Sequence, residues 1–379
     1  MIIRSLDSDA ELMRFIENAE VFGHKFDCVI AAFTQRLDPR AERNLNKKTR
    51  FFAIDTKYPR YCIEQFRQRG ISDEDARVLL ECPVDTSAGL VPYGFNRTLV
   101  VIEAILRGVD TLFFADYDVY PTVLKETPDG YSVEAVDILG AHLDHLNSGS
   151  QVTTGEYSGY NILPPAMFDG MEDLLAGLQK EDMLEYWQSS SAHRCLSLQP
   201  SATEPKPCTK ILGGNTALKL SAFADLPPFF SSYHTVGGEL YLNRGEDTML
   251  GLGIAKNGIT CTDIGLNPLH DTYKNYPDEP DFRGDPMVQD RFYYACTGWV
   301  GRNPLLNYMR GEDLQSTREY QRGRLERGLQ ALAEYTSNPR YNSVMRNFDT
   351  SWDSLGRYIS EYEGVLEAWD GFRERSGLK

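Results

Sequence analysis

Leu112-Phe113-Phe114-Ala115-Asp116-Tyr117-Asp118-Val119-Tyr120-Pro121 is the stretch on which the reading of the fold turns. An apolar, aromatic run with the composition of a buried strand stops at two carboxylates one residue apart. Desolvating an unpaired carboxylate is costly, so a strand that ends this way generally holds a cation or a polar ligand at its carboxyl edge. Alternate residues of an extended chain point the same way, so Asp116 and Asp118 can share one site. A hard divalent cation with diphosphate oxygens suits such a pair. An isolated Asp-x-Asp is commonly just a solvated turn, so the surrounding chain has to decide.

Working outward, Gly94 to Arg107 reads as a helix that is apolar almost all round (Leu99, Val100, Val101, Ile102, Ile105, Leu106), the pattern of a helix under a sheet. It feeds the Asp116 strand through Gly108. Upstream, Cys28-Val29-Ile30-Ala31-Ala32-Phe33 reads as a first buried strand, followed by the polar loop Thr34–Lys48. Arg50-Phe51-Phe52-Ala53-Ile54 reads as a second strand ending at Asp55, with a helix from about Arg60 to Arg69. Strands alternating with helices predict an α/β fold with a mostly parallel, doubly wound sheet. Ligands of such sheets sit beyond the carboxyl ends of the strands, where Thr34, Asp55 and Asp116 all fall.

At 379 residues the chain can hold one large α/β domain with an appendage, or two domains. We place an α/β domain at 1–310 and a helical region at 311–379. In the latter, Leu325, Leu329 and Leu332 share one face, and Leu355, Tyr358, Ile359, Tyr362, Leu366 and Trp369 follow helical spacing. Such stripes serve as core or as homo-oligomer contact. The Ser/Pro-rich stretch 188–207, after a helix near 169–187, predicts a mobile loop, either a lid or a tolerated insertion. Net charge of −16 (39 basic against 55 acidic residues) argues against a nucleic-acid surface. Seven cysteines without a C-x-x-C pair predict reduced thiols and a cytoplasmic location. Neither a signal peptide nor a membrane span is expected.

Three further segments belong with the acid pair. Ile211-Leu212-Gly213-Gly214-Asn215-Thr216 sets two glycines and an Asn between apolar runs. The glycines allow close backbone approach to a ligand, and Asn215 can both donate and accept hydrogen bonds. Arg244-Gly245-Glu246-Asp247-Thr248 precedes an apolar run, so its acids either oppose a helix dipole or do chemistry. Asn267-Pro268-Leu269-His270-Asp271 follows a strand expected around Ile259–Ile264, and with six histidines in the chain His270 is a candidate ligand.

In order, these pieces resemble the GT-A glycosyltransferase fold, and in particular retaining enzymes such as mannosylglycerate synthase and glucosyl-3-phosphoglycerate synthase. The resemblance spans roughly residues 26 to 275. It implies that Asp116 contacts the donor's ribose or a metal, that Asp118 binds Mn²⁺ or Mg²⁺, and that His270 completes the metal site. Asp247, with Glu246 beside it, would lie next to the sugar or acceptor. Asp55 would read the base, flanked by Phe33 and Thr34, and Tyr117, Gly214 and Asn215 would line the nucleotide sugar. Such families often carry Gly-Lys-Gly before the helix that leads to the acid pair. This chain has Tyr93-Gly94-Phe95-Asn96-Arg97, so Arg97 would supply the positive charge near the diphosphate.

The expectation is therefore a metal-dependent transfer of a sugar from a UDP- or GDP-sugar to a small-molecule or glycan hydroxyl. By resemblance the transfer is retaining. The metal acts as a Lewis acid on the leaving diphosphate, and Arg97, Lys210 and Arg244 are candidates to face an anionic acceptor. The rival enzyme is a haloacid-dehalogenase-type phosphatase with Asp116 as nucleophile. Tyr120 stands where that family has Thr or Val, and two strand–helix units precede the acid pair instead of none. A catalytically inactive sugar- or nucleotide-binding module is the non-enzymatic alternative.

Overall fold

The computed structural model describes residues 1–87, 89–128, 130–160, 162–164, 166–184, 203–274 and 278–378. Most of the loop expected at 188–207 lies outside them. Its described end is ordered by pairing: Thr203 N donates to Gly265 O at 2.6 Å, and the strand Lys206–Pro207 runs antiparallel to Cys261–Asp263.

The chain is mixed α/β with a helical C-terminal region. The strands Cys28–Phe33 and Arg50–Ile54 pair in parallel (Ile30 opposite Phe52), with Ile2–Ile3 on the other side of the first. The helix Pro39–Lys48 makes the crossover. It opens on an Asp38 carboxylate that accepts from Arg40 N at 3.0 Å, with Pro39 in the first turn, where its missing N–H costs nothing.

The expected single, mostly parallel sheet does not form among the described residues. A separate five-stranded sheet runs Lys206–Pro207, Cys261–Asp263, Val152–Thr154, Asn215–Lys219, Thr111–Ala115. Asn215–Lys219 is antiparallel to both of its neighbours. That inversion positions the site. With Asn215 opposite Ala115, the Gly213–Gly214 turn comes to the carboxyl end of the Thr111–Ala115 strand, beside Asp116. A small third sheet sets Leu269–Asp271 between Val119–Tyr120 and Ser158–Tyr160. Its register puts His270 opposite Val119, next to Asp118.

The helix Tyr93–Leu106 lies in the main core with Leu99, Val100, Val101 and Ile102 buried. Burying each such side chain contributes ~1.5–3 kcal/mol. The C-terminal helices start earlier than expected, because Pro286–Arg310 is a single helix and Gly311, at φ 71°, ends it. Leu325, Leu329 and Leu332 are core residues of the following helix Leu314–Thr336. That helix crosses Met171–Leu178 so closely that a Cβ on Gly328 would stand 2.3 Å from the Leu174 backbone. The last helix, Leu355–Ser376, sends Trp369 and Phe372 into the same core as the Tyr93–Leu106 helix. Among the described residues no helix is long and apolar enough to cross a membrane.

Candidate functional site

Asp118 lies in the turn after the Thr111–Ala115 strand, with its side chain only 7% exposed. Its Oδ1 meets His270 Nε2 at 3.2 Å, and its Oδ2 accepts from Arg291 Nη2 at 3.0 Å. Burial works against the charge, but His270 and Arg291 more than offset it and hold the carboxyl down at about 2. Thr272 Oγ1 is 3.1 Å from His270 Nδ1. The Tyr157 ring stacks on His270 with centroids 4.6 Å apart.

Asp116 faces the other way. Its Oδ1 accepts from Arg97 Nη2 at 3.2 Å, and its side chain is 26% exposed. Arg97 is almost fully buried: Nη1 donates to Gly213 O at 2.6 Å and Nε to Glu246 Oε1 at 3.2 Å. The Phe114 and Phe229 rings flank it at 5.1 and 5.9 Å. Burial raises the carboxyls of both Asp116 and Glu246, and Arg97 counteracts this. Every arm of this guanidinium is taken by the protein, so Arg97 braces Asp116 against the Glu246–Asn257 helix and is not free for a diphosphate.

The glycine pair has a local cause. A Cβ on Gly213 would stand 2.5 Å from Arg97 Nη2, and one on Gly214 would stand 2.5 Å from Asp116 Cγ. The close approach is to the protein's own side chains rather than to a ligand. Gly214 N donates to Tyr157 Oη at 2.9 Å, so the same tyrosine touches both halves of the site. Asn215 is fully buried; its Oδ1 takes His142 Nε2 at 3.0 Å and its Nδ2 donates to Glu156 O and Leu266 O. It holds the turn and presents no free polar atom to a ligand.

Asp247 stands half-buried in the first turn of the Glu246–Asn257 helix, and its Oδ1 accepts from Thr248 N at 2.7 Å. Its charge favours two nearby cations. Burial pulls Arg302 down to about 10 and Lys180 down to about 8, and Asp247 opposes both shifts. Arg302 Cδ is also the nearest atom to a Cβ built on Gly245. Lys210 is drawn off by Glu156 at 2.7 Å.

Phe33 is buried in the cluster that contains Ala115 and Val119, with Tyr117 packed at its edge. The Thr34 hydroxyl is buried without a hydrogen-bond partner. Asp55 Oδ1 accepts from Lys57 N at 2.8 Å and shapes its own turn. Among the described residues these three make no hydrogen bond or ion pair with Asp116, Asp118 or Arg97. Asp118 and His270 meet, but Asp116 does not join them, and among the described residues no group of three or more His, Cys, Asp or Glu side chains is placed to hold a metal ion. As they stand, the donors do not fit a three-ligand cation site.

Sequence reasoning missed Arg291 and Tyr157. Arg291 lies 173 residues from Asp118, on a helix with no motif around it. Tyr157 stands in a stretch where no strand or motif is expected.

No family model matches this chain, and no curated protein matches it. A solved chain described as "Crystal Structure of a Mycobacterial Protein" is similar over 78% of this chain and 73% of its own, at 13% identity and a TM-score of 0.34. That likeness is too slight to carry an argument about fold or function.

Proposed function

We propose that the chain is a glycosyltransferase of GT-A type, which binds a nucleoside-diphosphate sugar over the Asp116–Asp118–His270 turn and passes the sugar to a hydroxyl acceptor. One observation carries the reading. Side chains picked out by their order in the sequence meet in two adjacent clusters, Asp118 with His270 and Asp116 with Glu246 through Arg97, and Tyr157 touches both sides. A chain with four such segments serving unrelated local purposes has no reason to join them.

Departure of the donor's leaving group leaves negative charge on the diphosphate. At the open edge of these clusters, the Arg291 and His270 side chains are 35% and 17% exposed. Arg291, the more exposed of the two, is the protein's own group for offsetting that charge, and a fixed donor of this kind is worth about 10²–10³ in rate. Asp118 orients both. Asp247 is the more accessible acid at the start of its helix. It either takes the acceptor's proton or, in the retaining course favoured by the resemblance, positions the acceptor. Because the donors do not fit a three-ligand cation site, no step is routed through a metal. The effect of Mn²⁺ or Mg²⁺ is an arm of the test.

The test is a panel of UDP-, GDP- and ADP-sugars incubated with the full chain, with Mn²⁺, with Mg²⁺ and without either. Release of one nucleoside diphosphate, lost in Asp118→Ala, is the expected result. Turnover of a generic phosphate ester with no nucleotide-sugar cleavage would overturn it in favour of the phosphatase.

A further inference from the structure

Cys208 follows the strand Lys206–Pro207, and Cys261 opens the strand Cys261–Asp263. The register Pro207 opposite Thr262 brings the two cysteines face to face, and Cys208 N donates to Cys261 O at 3.1 Å. Opposed residues in a hydrogen-bonded antiparallel pair have Cα atoms about 5.5 Å apart. That lies within the span of about 4.4–6.8 Å that a disulfide bridges. The two Sγ atoms stand 3.5 Å apart and both cysteines are free thiols. A small rotation about each Cα–Cβ bond would bring them to bonding distance.

The two sulfurs are not equivalent. Cys208 is half-buried and lines a small surface cavity with Glu156, Lys210 and Asp263, so a small oxidant can reach it. Cys261 is buried behind it. The hydrogen bond from the Cys261 thiol stabilises a Cys208 thiolate against the effect of burial, and the same contact together with burial keeps Cys261 protonated. Among the other described thiols, burial is the first cause of a raised value at Cys28, Cys62, Cys82 and Cys296. An accessible, more acidic thiol with a resolving partner in contact is the arrangement that oxidises selectively.

We propose that Cys208 and Cys261 are an oxidative modification site, closing to an intrachain disulfide when the chain meets a peroxide. The Cys208 thiolate attacks one peroxide oxygen, the O–O bond breaks, and the sulfur becomes a sulfenic acid as hydroxide leaves and takes up the thiol's proton as water. The Cys261 thiol then attacks that sulfur, giving up its proton as the sulfenic oxygen departs as a second water. Two thiols are oxidised, one peroxide is reduced, and two waters form. The cross-link closes a loop between positions 53 apart. It ties the segment that runs into Gly213 and Gly214 to the strand that runs on towards His270. The inference is independent of the glycosyltransferase reading, since it needs no ligand.

The fully reduced full-length chain is treated with equimolar hydrogen peroxide, alkylated, and mapped as peptides without reduction. The expected product is a Cys208–Cys261 linked peptide, lighter than its reduced parts by two hydrogens and lost on adding dithiothreitol, while Cys82 stays alkylated. The oxidised chain should also unfold at a higher temperature, because the closed loop restricts the unfolded ensemble. In Cys261→Ser, Cys208 should stop at a sulfenic acid that dimedone traps. In Cys208→Ser, Cys261 should remain a thiol. Equal alkylation of Cys208, Cys261 and Cys82 after peroxide, or a link from either cysteine to any other, would overturn the proposal on the unmodified sequence alone.

Discussion

Oδ1 of Asp118 and Nε2 of His270 stand 3.2 Å apart although 152 positions separate them, because Val119 and His270 are register partners in a small sheet. The contact makes Asp118 an acid-sensitive point. Its carboxyl is held at about 2, against about 3.9 in an unfolded chain. A carboxyl depressed in the folded state stabilises the fold above its unfolded value and loses that contribution as pH falls towards its folded one. The window is therefore about pH 4 down to pH 2, and the contribution is roughly 2–3 kcal/mol. Urea denaturation at pH 7 and pH 3 should show Asp118→Asn losing less stability on acidification than the parent.

His142 adds a second window at higher pH. It is buried between Thr153 and Asn215, and burial lowers it to about 4 from 6.5. The unfolded chain takes up a proton below its own value while the folded chain does not, so stability is full above about pH 6.5 and falls as pH drops towards 4. His142→Gln should flatten this limb of the denaturation profile. It should also cost ~1–3 kcal/mol at pH 7 if Asn215 loses a partner.

Gly214→Ala should displace Asp116, since its Cβ would stand 2.5 Å from the carboxylate carbon. Overpacking of this kind costs ~1–3 kcal/mol. Differential scanning calorimetry should register that loss, whereas Gly356→Ala, at a position with open space, should not lower the midpoint.

Much of the local structure was legible, because continuous apolar runs bounded by polar turns carry their own signal. Cys28–Phe33 and Arg50–Ile54 are strands at the expected residues. The division into separate sheets was not legible. The antiparallel placement of Asn215–Lys219 depends on partners distant in sequence, and its apolar pattern is the same in either direction. Pro128-Asp129-Gly130 could have revealed the hairpin Thr122–Thr127 with Gly130–Ala135. Within the site, Asp116, Asp118, Glu246 and His270 were found because acids and histidine stand out beside apolar runs. Sequence could not tell that Arg97 would be consumed by two carboxylates, or that Arg291 would reach Asp118 from a C-terminal helix.

The paired acids at the Glu246–Asn257 helix should separate in their effects. Glu246 is buried against Arg97, so Glu246→Gln should lower stability. Asp247 is reachable, so Asp247→Asn should leave nucleotide binding near the parent's while kcat for sugar transfer falls ~10²–10⁴-fold, with a smaller loss of melting temperature from the charge that Arg302 and Lys180 lose. Steady-state kinetics beside thermal denaturation distinguish the two.

Calorimetric titration of the full chain with UDP, GDP and ADP, each with and without Mn²⁺, decides whether the site beside Asp118 binds a nucleoside diphosphate. Saturable binding of one of the three nucleotides is expected, weakened at least about tenfold in Arg291→Ala, the loss expected for one charge-assisted contact to the diphosphate. No saturable binding of any of the three, with or without Mn²⁺, would contradict the proposed function.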